Sequence, residues 1–225
     1  NQDWTGDQFA RCFCASNASA SGCADAPPPL ISCGQQNWDH NTGRTPFRLG
    51  GNTGAVVCED LDGDGDLDVL GAAEYDDEIA WFENDGSEDF TEHTIQSSYS
   101  AAFSVHAADV DGDGDIDLAA TSDASTDNEI IWYSNDGSEN FTKTVVESSI
   151  GGANFVEVID IDGDNDNDFI ATSWRDDDVL WYVNDGSQNF TKTTIDNNID
   201  GASYVKVGDM DGDGDPGILV LNLTF

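Results

Sequence analysis

Four short stretches of this chain carry the residues best suited to chemistry. They begin at Asp60, Asp109, Asp160 and Asp209, at spacings of 49, 51 and 49 residues, and read DLDGDGDLD, DVDGDGDID, DIDGDNDND and DMDGDGDPG. Aspartates at alternate positions of a turn put their carboxylates on one side of the chain, while glycine lets the backbone fold around an ion. Ca2+ takes about six to eight oxygen ligands, so four carboxylates and a carbonyl from one loop nearly complete a site. The expected side-chain ligands are Asp60, Asp62, Asp64 and Asp68 in the first loop, with the Asp66 carbonyl and water filling in. The second loop offers Asp109, Asp111, Asp113 and Asp117, with Asp115 at the carbonyl position; the third offers Asp160, Asp162, Asp164 and Asp168, with Asp166. In the third loop Asn165 replaces a glycine, which is tolerable because Asn accepts a left-handed conformation. The fourth loop keeps Asp209, Asp211, Asp213 and Asp215, but Gly217 follows Pro216 where the last Asp should stand. Three strong Ca2+ sites and a weak or incomplete fourth are therefore expected.

Two rivals fail on the residues. An EF-hand needs a bidentate Glu at loop position 12 and flanking helices. That position holds Gly71, Ala120, Ala171 or Val220, and the flanks read as strands. Mg2+ keeps several of its waters and seldom uses an all-carboxylate cage. Crowded carboxylates without a cation oppose folding, so metal binding and folding should be linked.

The elements that must hold these loops also repeat. Val56, Val105, Val156 and Val205 precede the loops in one register, and short apolar runs follow them. Between loops lie WFENDGSEDFT from Trp81, WYSNDGSENFT from Trp132 and WYVNDGSQNFT from Trp181. Asn-Asp-Gly-Ser between aromatic-rich runs is a hairpin signal. One unit is therefore strand, acidic loop, strand, turn, strand, Asn-Asp-Gly turn, strand: a four-stranded meander of about 50 residues, the size of a β-propeller blade. Trp38, Asn41, Gly43 and Phe47 repeat the hairpin spacing ahead of the first loop. The expected fold is all-β, with propeller-type blades at about 51–99, 100–150 and 151–199, and one blade split between residues 36–50 and 200–225. Residues 1–35 form a separate cysteine-rich segment.

Taken together, DxDGDGDxD between strands and the following WYxNDGSxNFT resemble the FG-GAP/VCBS repeat family over about residues 36–225. The resemblance implies Ca2+ in the loop between the first two strands of each blade, as in integrin-type propellers and certain fungal lectins. It also implies an extracellular setting, where calcium is millimolar. Family propellers usually have seven blades; four are present here.

Composition bounds the rest. Seven Lys and Arg against 46 Asp and Glu give a formal net charge of −39, a surface that repels nucleic acid. No apolar run approaches the roughly 18–20 residues of a membrane span, and any signal peptide is expected to have been removed ahead of Asn1. Cys12, Cys14, Cys23 and Cys33 lie close together in a loop-like stretch without the CxxC pairs of a zinc knot, so they read as two disulfides of open connectivity. Cys58 shares a strand face with Ala107, Val158 and Val207 and reads as a buried free thiol. Glycosylation sequons fall at Asn17, Asn140, Asn189 and Asn222.

His40, His93 and His106 sit at unrelated points of the repeat, and no nucleophile or acid pair stands apart from the acidic loops. His106 aligns with Val57, Glu157 and Lys206, which reads as a variable outward face. The repeated Trp81, Trp132 and Trp181 read as packing between blades, and the unrepeated Trp174 as the better contact residue. The expected function is a non-enzymatic extracellular calcium-binding protein with a structural or adhesive role. Its expected partners are other copies of itself, joined head to tail by completing the split blade, or other extracellular proteins. The alternative is a lectin-like propeller closed within one chain and binding glycans.

Overall fold

The computed structural model describes residues 53–87, 89–124 and 128–222. The half blade expected at 36–50, Cys12, Cys14, Cys23, Cys33 and Asn17 lie outside these residues. Fourteen strands are present among them and no helix. They are β1 (Thr53–Glu59), β2 (Asp68–Ala73), β3 (Glu78–Asn84), β4 (Phe90–Ser97), β5 (Ala102–Ala108), β6 (Asp117–Ser122), β7 (Ile130–Asn135), β8 (Phe141–Glu147), β9 (Ala153–Ile159), β10 (Asp168–Ser173), β11 (Asp178–Asn184), β12 (Phe190–Asp196), β13 (Ala202–Gly208) and β14 (Gly217–Asn222). They form three four-stranded antiparallel meanders, β1–β4, β5–β8 and β9–β12, and a two-stranded sheet, β13–β14. In every sheet the acidic loop joins the first strand to the second.

Burial follows position within the sheet. The second strands β2, β6 and β10 are buried along their whole length, whereas the fourth strands β4, β8 and β12 are largely exposed and polar. The sheets stack face to face in chain order, with β1 against β5, β5 against β9 and β9 against β13. The core is accordingly a series of apolar layers between successive sheets. Leu70, Trp81 and Leu61 of the first sheet meet Val105, Ile131 and Tyr133 of the second. Ala119 and Trp132 meet Val156, Phe169 and Tyr182, and Ile170 and Trp181 meet Val205 and Val207. The three repeated tryptophans thus lie one in each layer. Among the described residues no comparable contact joins β1 or β2 to β13 or β14.

Cys58 corrects an expectation. It is disulfide-bonded, not a free thiol. Its register equivalents Ala107, Val158 and Val207 each pack against a preceding sheet, but Cys58 belongs to a small cluster with Val69, Ala80 and Phe82 on the face of the first sheet that no described sheet covers. A pairing of the four N-terminal cysteines only among themselves is not supported.

The last sheet shows what stacking does for the others. Leu219 occupies the register position of Leu70 and is 49% exposed, where Leu70 is 0% exposed. Truncating a fully buried leucine costs about 2–5 kcal/mol, and truncating a half-exposed one much less. Leu70→Ala is therefore expected to lower unfolding free energy by about 2–5 kcal/mol in urea titrations, and Leu219→Ala by less than about 1 kcal/mol. Equal losses at the two positions would contradict a core built by layers.

Candidate cation loops

Each acidic loop begins with an Asp whose carboxylate gathers the backbone of its own turn. Asp109 accepts the N–H groups of Gly112 and Gly114, and Asp160 those of Gly163 and Asn165. Gly114 has φ +99° and Asn165 φ +73°, so the third loop makes the same left-handed turn without glycine.

The last Asp of the first three loops is buried and works from the second strand. Asp68 accepts N–H from Leu61 at 2.9 Å and Asn84 at 2.9 Å. Asp117 accepts from Val110 at 3.0 Å, Asn135 at 2.8 Å and the Trp132 indole at 3.1 Å. Asp168 accepts from Ile161, Asn184 and the Trp181 indole. Each of these carboxylates therefore clamps the acidic loop to the end of the third strand. Gly217 leaves the fourth sheet without this clamp, and the loop there is exposed.

One oxygen from each of Asp60, Asp62 and Asp68 lies within 4.8 Å of the other two, and the same holds for Asp109, Asp111 and Asp117. In the third loop the converging set is Asp160, Asp162 and Asp164, and in the fourth Asp209, Asp211 and Asp213. Asp64 and Asp113 stand outside the tight groups of their loops, where each accepts the N–H of the residue two positions on. Asp66, Asp115 and Asp166 turn their carboxylates toward the hairpin glycines Gly86, Gly137 and Gly186, where any side chain would collide with them. Only their carbonyls remain for the ligand role expected of them. Asp215 lies in the exposed fourth loop.

The electrostatics of these groups are unfavourable without a counter-charge. Burial pushes the Asp68 and Asp117 carboxyls up to about 6, against the N–H groups that pull them down. Burial also raises Asp168. Asp62 is raised by burial and by repulsion from Asp64, Asp60 and Glu83, and Asp111 by burial, Asp113 and Asp109. Asp209 in the open fourth loop is instead held low, first by the N–H of Gly212. Asp60 Oδ1 and Asp111 Oδ1 are buried without any hydrogen-bond partner. A buried, unpaired carboxylate oxygen within a converging group suits a bound cation. The donors are all hard oxygens, which fits Ca2+ and not a thiolate-seeking metal.

Asn84, Asn135 and Asn184, the first residues of the Asn-Asp-Gly turns, belong to the site as well. Each amide oxygen accepts the turn glycine's N–H, and each Nδ2 donates to the carbonyl before the buried Asp: Leu67, Ile116 and Asn167. The signal was present as an Asn at constant offset from the repeated Trp, but it reads as turn chemistry alone. Asn140 and Asn189 are exposed, with their amides on the carboxylates of Asp136 and Asp185; Asn222 ends β14.

In the row at His106, only Lys206 is exposed. Glu157 is buried, accepting the Val207 N–H and pairing with Lys206, because the first strands of successive sheets pack side by side. His106 Nδ1 is buried without a partner. Trp174 remains partly exposed, with the Arg175 guanidinium over its ring and Arg175 paired to Asp123. His93 stacks on Trp81 and pairs with Glu83.

The model of the FG-GAP-like repeat matches residues 60–120, 109–171 and 160–220. The chain belongs to this family, whose repeats typically bind calcium. Among solved structures it is similar to the V. cholerae biofilm matrix protein Bap1, at 21% identity and a TM-score of 0.41, over 73% of this chain and 27% of that one. The chain thus spans about a quarter of Bap1's length. No curated protein matches the sequence. No helix among the described residues is long and apolar enough to cross a membrane.

Burial lowers the His106 pKa from 6.5 to about 4, with Lys206 adding to the effect and Glu157 opposing it. A lowered folded-state pKa means that stability is fully present above about pH 6.5 and lost as the pH falls toward 4, because only the unfolded chain takes the proton. In urea unfolding at saturating calcium, wild type is expected to lose up to about 3 kcal/mol more than His106→Val over that range. Parallel pH profiles would contradict the burial of a neutral imidazole.

Proposed function

We propose that this protein is a non-enzymatic, extracellular calcium-binding repeat protein with a structural or adhesive role. The observation that carries the reading is the pair of buried, partnerless oxygens, Asp60 Oδ1 and Asp111 Oδ1, inside converging carboxylate groups. Asp60, Asp62 and Asp68, and Asp109, Asp111 and Asp117, would hold the ion in the first two loops. Asp160, Asp162 and Asp164 would do so in the third. The fourth loop, exposed and without a buried Asp, is the weak member. A bound Ca2+ supplies positive charge that offsets the crowding of carboxylates, and millimolar extracellular calcium is enough to fill modest sites.

The structural role draws support from the last sheet. Met210 is 57% exposed, whereas Leu61 at the same loop position is 3% exposed beneath the next sheet. Leu219, Leu221 and Tyr204 are exposed on the same sheet. Another repeat sheet is the natural cover for such a face. A second copy supplying it makes a head-to-tail contact, which propagates into a ring or filament. The competing arrangement is closure within one chain by residues 36–50, with Trp174 as the contact for a glycan.

Light scattering and electron microscopy separate these arrangements: calcium-dependent assemblies that dissolve in EDTA support the head-to-tail contact, and monomer in both conditions opposes it. The calcium reading has its own test. Asp68 and Asp117, raised to about 6, are partly protonated near pH 6 without the cation. Calcium must displace those protons, so calorimetry in buffers of differing ionisation enthalpy should show proton release near pH 6 and almost none at pH 8. Heat without proton release at pH 6 would remove Asp68 and Asp117 from the site.

A further inference from the structure

The acidic loops of successive sheets are joined by a continuous run of hydrogen bonds. In the first loop the Leu61 N–H donates to Asp68, and the Leu61 carbonyl accepts Nδ2 of Asn135 from the second sheet at 3.3 Å. The N–H of that same Asn135 donates to Asp117 at 2.8 Å, and Asp117 also accepts the Val110 N–H. The Val110 carbonyl then accepts Nδ2 of Asn184 from the third sheet at 3.2 Å, and the Asn184 N–H donates to Asp168 at 2.8 Å. Asn135 and Asn184 are each 1% exposed, so neither amide has water as an alternative partner. The joint between the second and third loops has an additional tie, from Asn167 Nδ2 to the Asp109 carbonyl at 2.6 Å.

We infer that Asn135 and Asn184 are positioning residues that couple neighbouring cation loops, so that filling one loop raises the affinity of the next. The inference rests on the calcium reading above. A loop whose carboxylates repel one another must be ordered before it can hold an ion. An ion in the first loop fixes Asp68 and hence the Leu61 peptide, which anchors the Asn135 amide. The Asn135 backbone, held at its other end by Asp117, then presents the second loop already ordered, and the entropy of ordering is spent once for two sites. The coupling is reciprocal, because each site changes the other's affinity by the same factor. With two ties instead of one, the second and third loops couple more strongly than the first and second.

The test reads each loop separately. In 15N-labelled protein the amides of Gly65, Gly114 and Gly163 report the first, second and third loops during a calcium titration. Asp62→Asn weakens the first loop, and coupling requires the Gly114 midpoint to rise with it, by about fivefold or more. In an Asn135→Ala background that remote shift disappears, while the response of Gly163 to Asp111→Asn persists. Asn184→Ala spares the first joint and weakens coupling at the second, where only the double variant Asn184→Ala with Asn167→Ala abolishes it. Because each variant must spare the other joint, general loss of structure cannot imitate the result. A Gly114 midpoint unmoved by Asp62→Asn, or moved equally with and without the Asn135 amide, overturns the coupling. Failure of all three glycines to respond to calcium overturns the calcium reading itself, a distinguishable outcome.

Discussion

Mutual repulsion among the carboxylates is the constraint from which the rest of the molecule follows. Nineteen aspartates in four nine-residue stretches, within a chain of formal charge −39, must be brought to one end of each sheet before the strands can pair. The fold meets this in two ways. Backbone N–H groups are turned inward onto the first Asp of each loop, and in the first three loops the last Asp is buried against N–H groups of the loop and of the third strand. Each bond takes some charge density off a carboxylate, yet Asp68 and Asp117 still sit well above the ordinary range, so the compensation is partial. The remaining charge is what a bound hard cation would neutralise.

The same contacts tie the local site to the architecture. The buried Asp belongs to the second strand, the most deeply buried element of each sheet, and its partners belong to the loop and to the third strand. Loop, strand pair and hairpin are therefore ordered together. The apolar layers between sheets carry this order sideways: Leu61 and Val110, whose side chains pack into the layers, also offer the carbonyls that Asn135 and Asn184 grip. Packing and polar ties act at the same residues, which makes the stack a row of coupled units.

Much of this was legible in the sequence, for a physical reason. A 50-residue period, alternating aspartates and an Asn-Asp-Gly turn each impose a local geometry that tertiary context cannot easily override, so the strand order and the loop positions follow. Most of what escaped lies between sheets. Asn135 reads as the first residue of a hairpin turn, and nothing local reveals that its amide reaches a carbonyl 74 residues earlier. His106 and Glu157 read as an outward face because register alone does not say which face a neighbouring sheet covers. The carboxylates of Asp66, Asp115 and Asp166 stand in the acidic motif and yet lean onto the hairpin glycines, a contact visible only once strand and hairpin are placed together.

The most direct measurement of the central claim is the midpoint of thermal unfolding against calcium concentration at constant, high ionic strength. Specific neutralisation predicts that the midpoint keeps rising with the logarithm of calcium beyond saturation, as linkage to a folded-state ligand requires, while an equal ionic strength of sodium salt gives no such rise. A midpoint that depends on ionic strength alone, with calcium and sodium interchangeable, would show that screening suffices and that the loops are not cation sites.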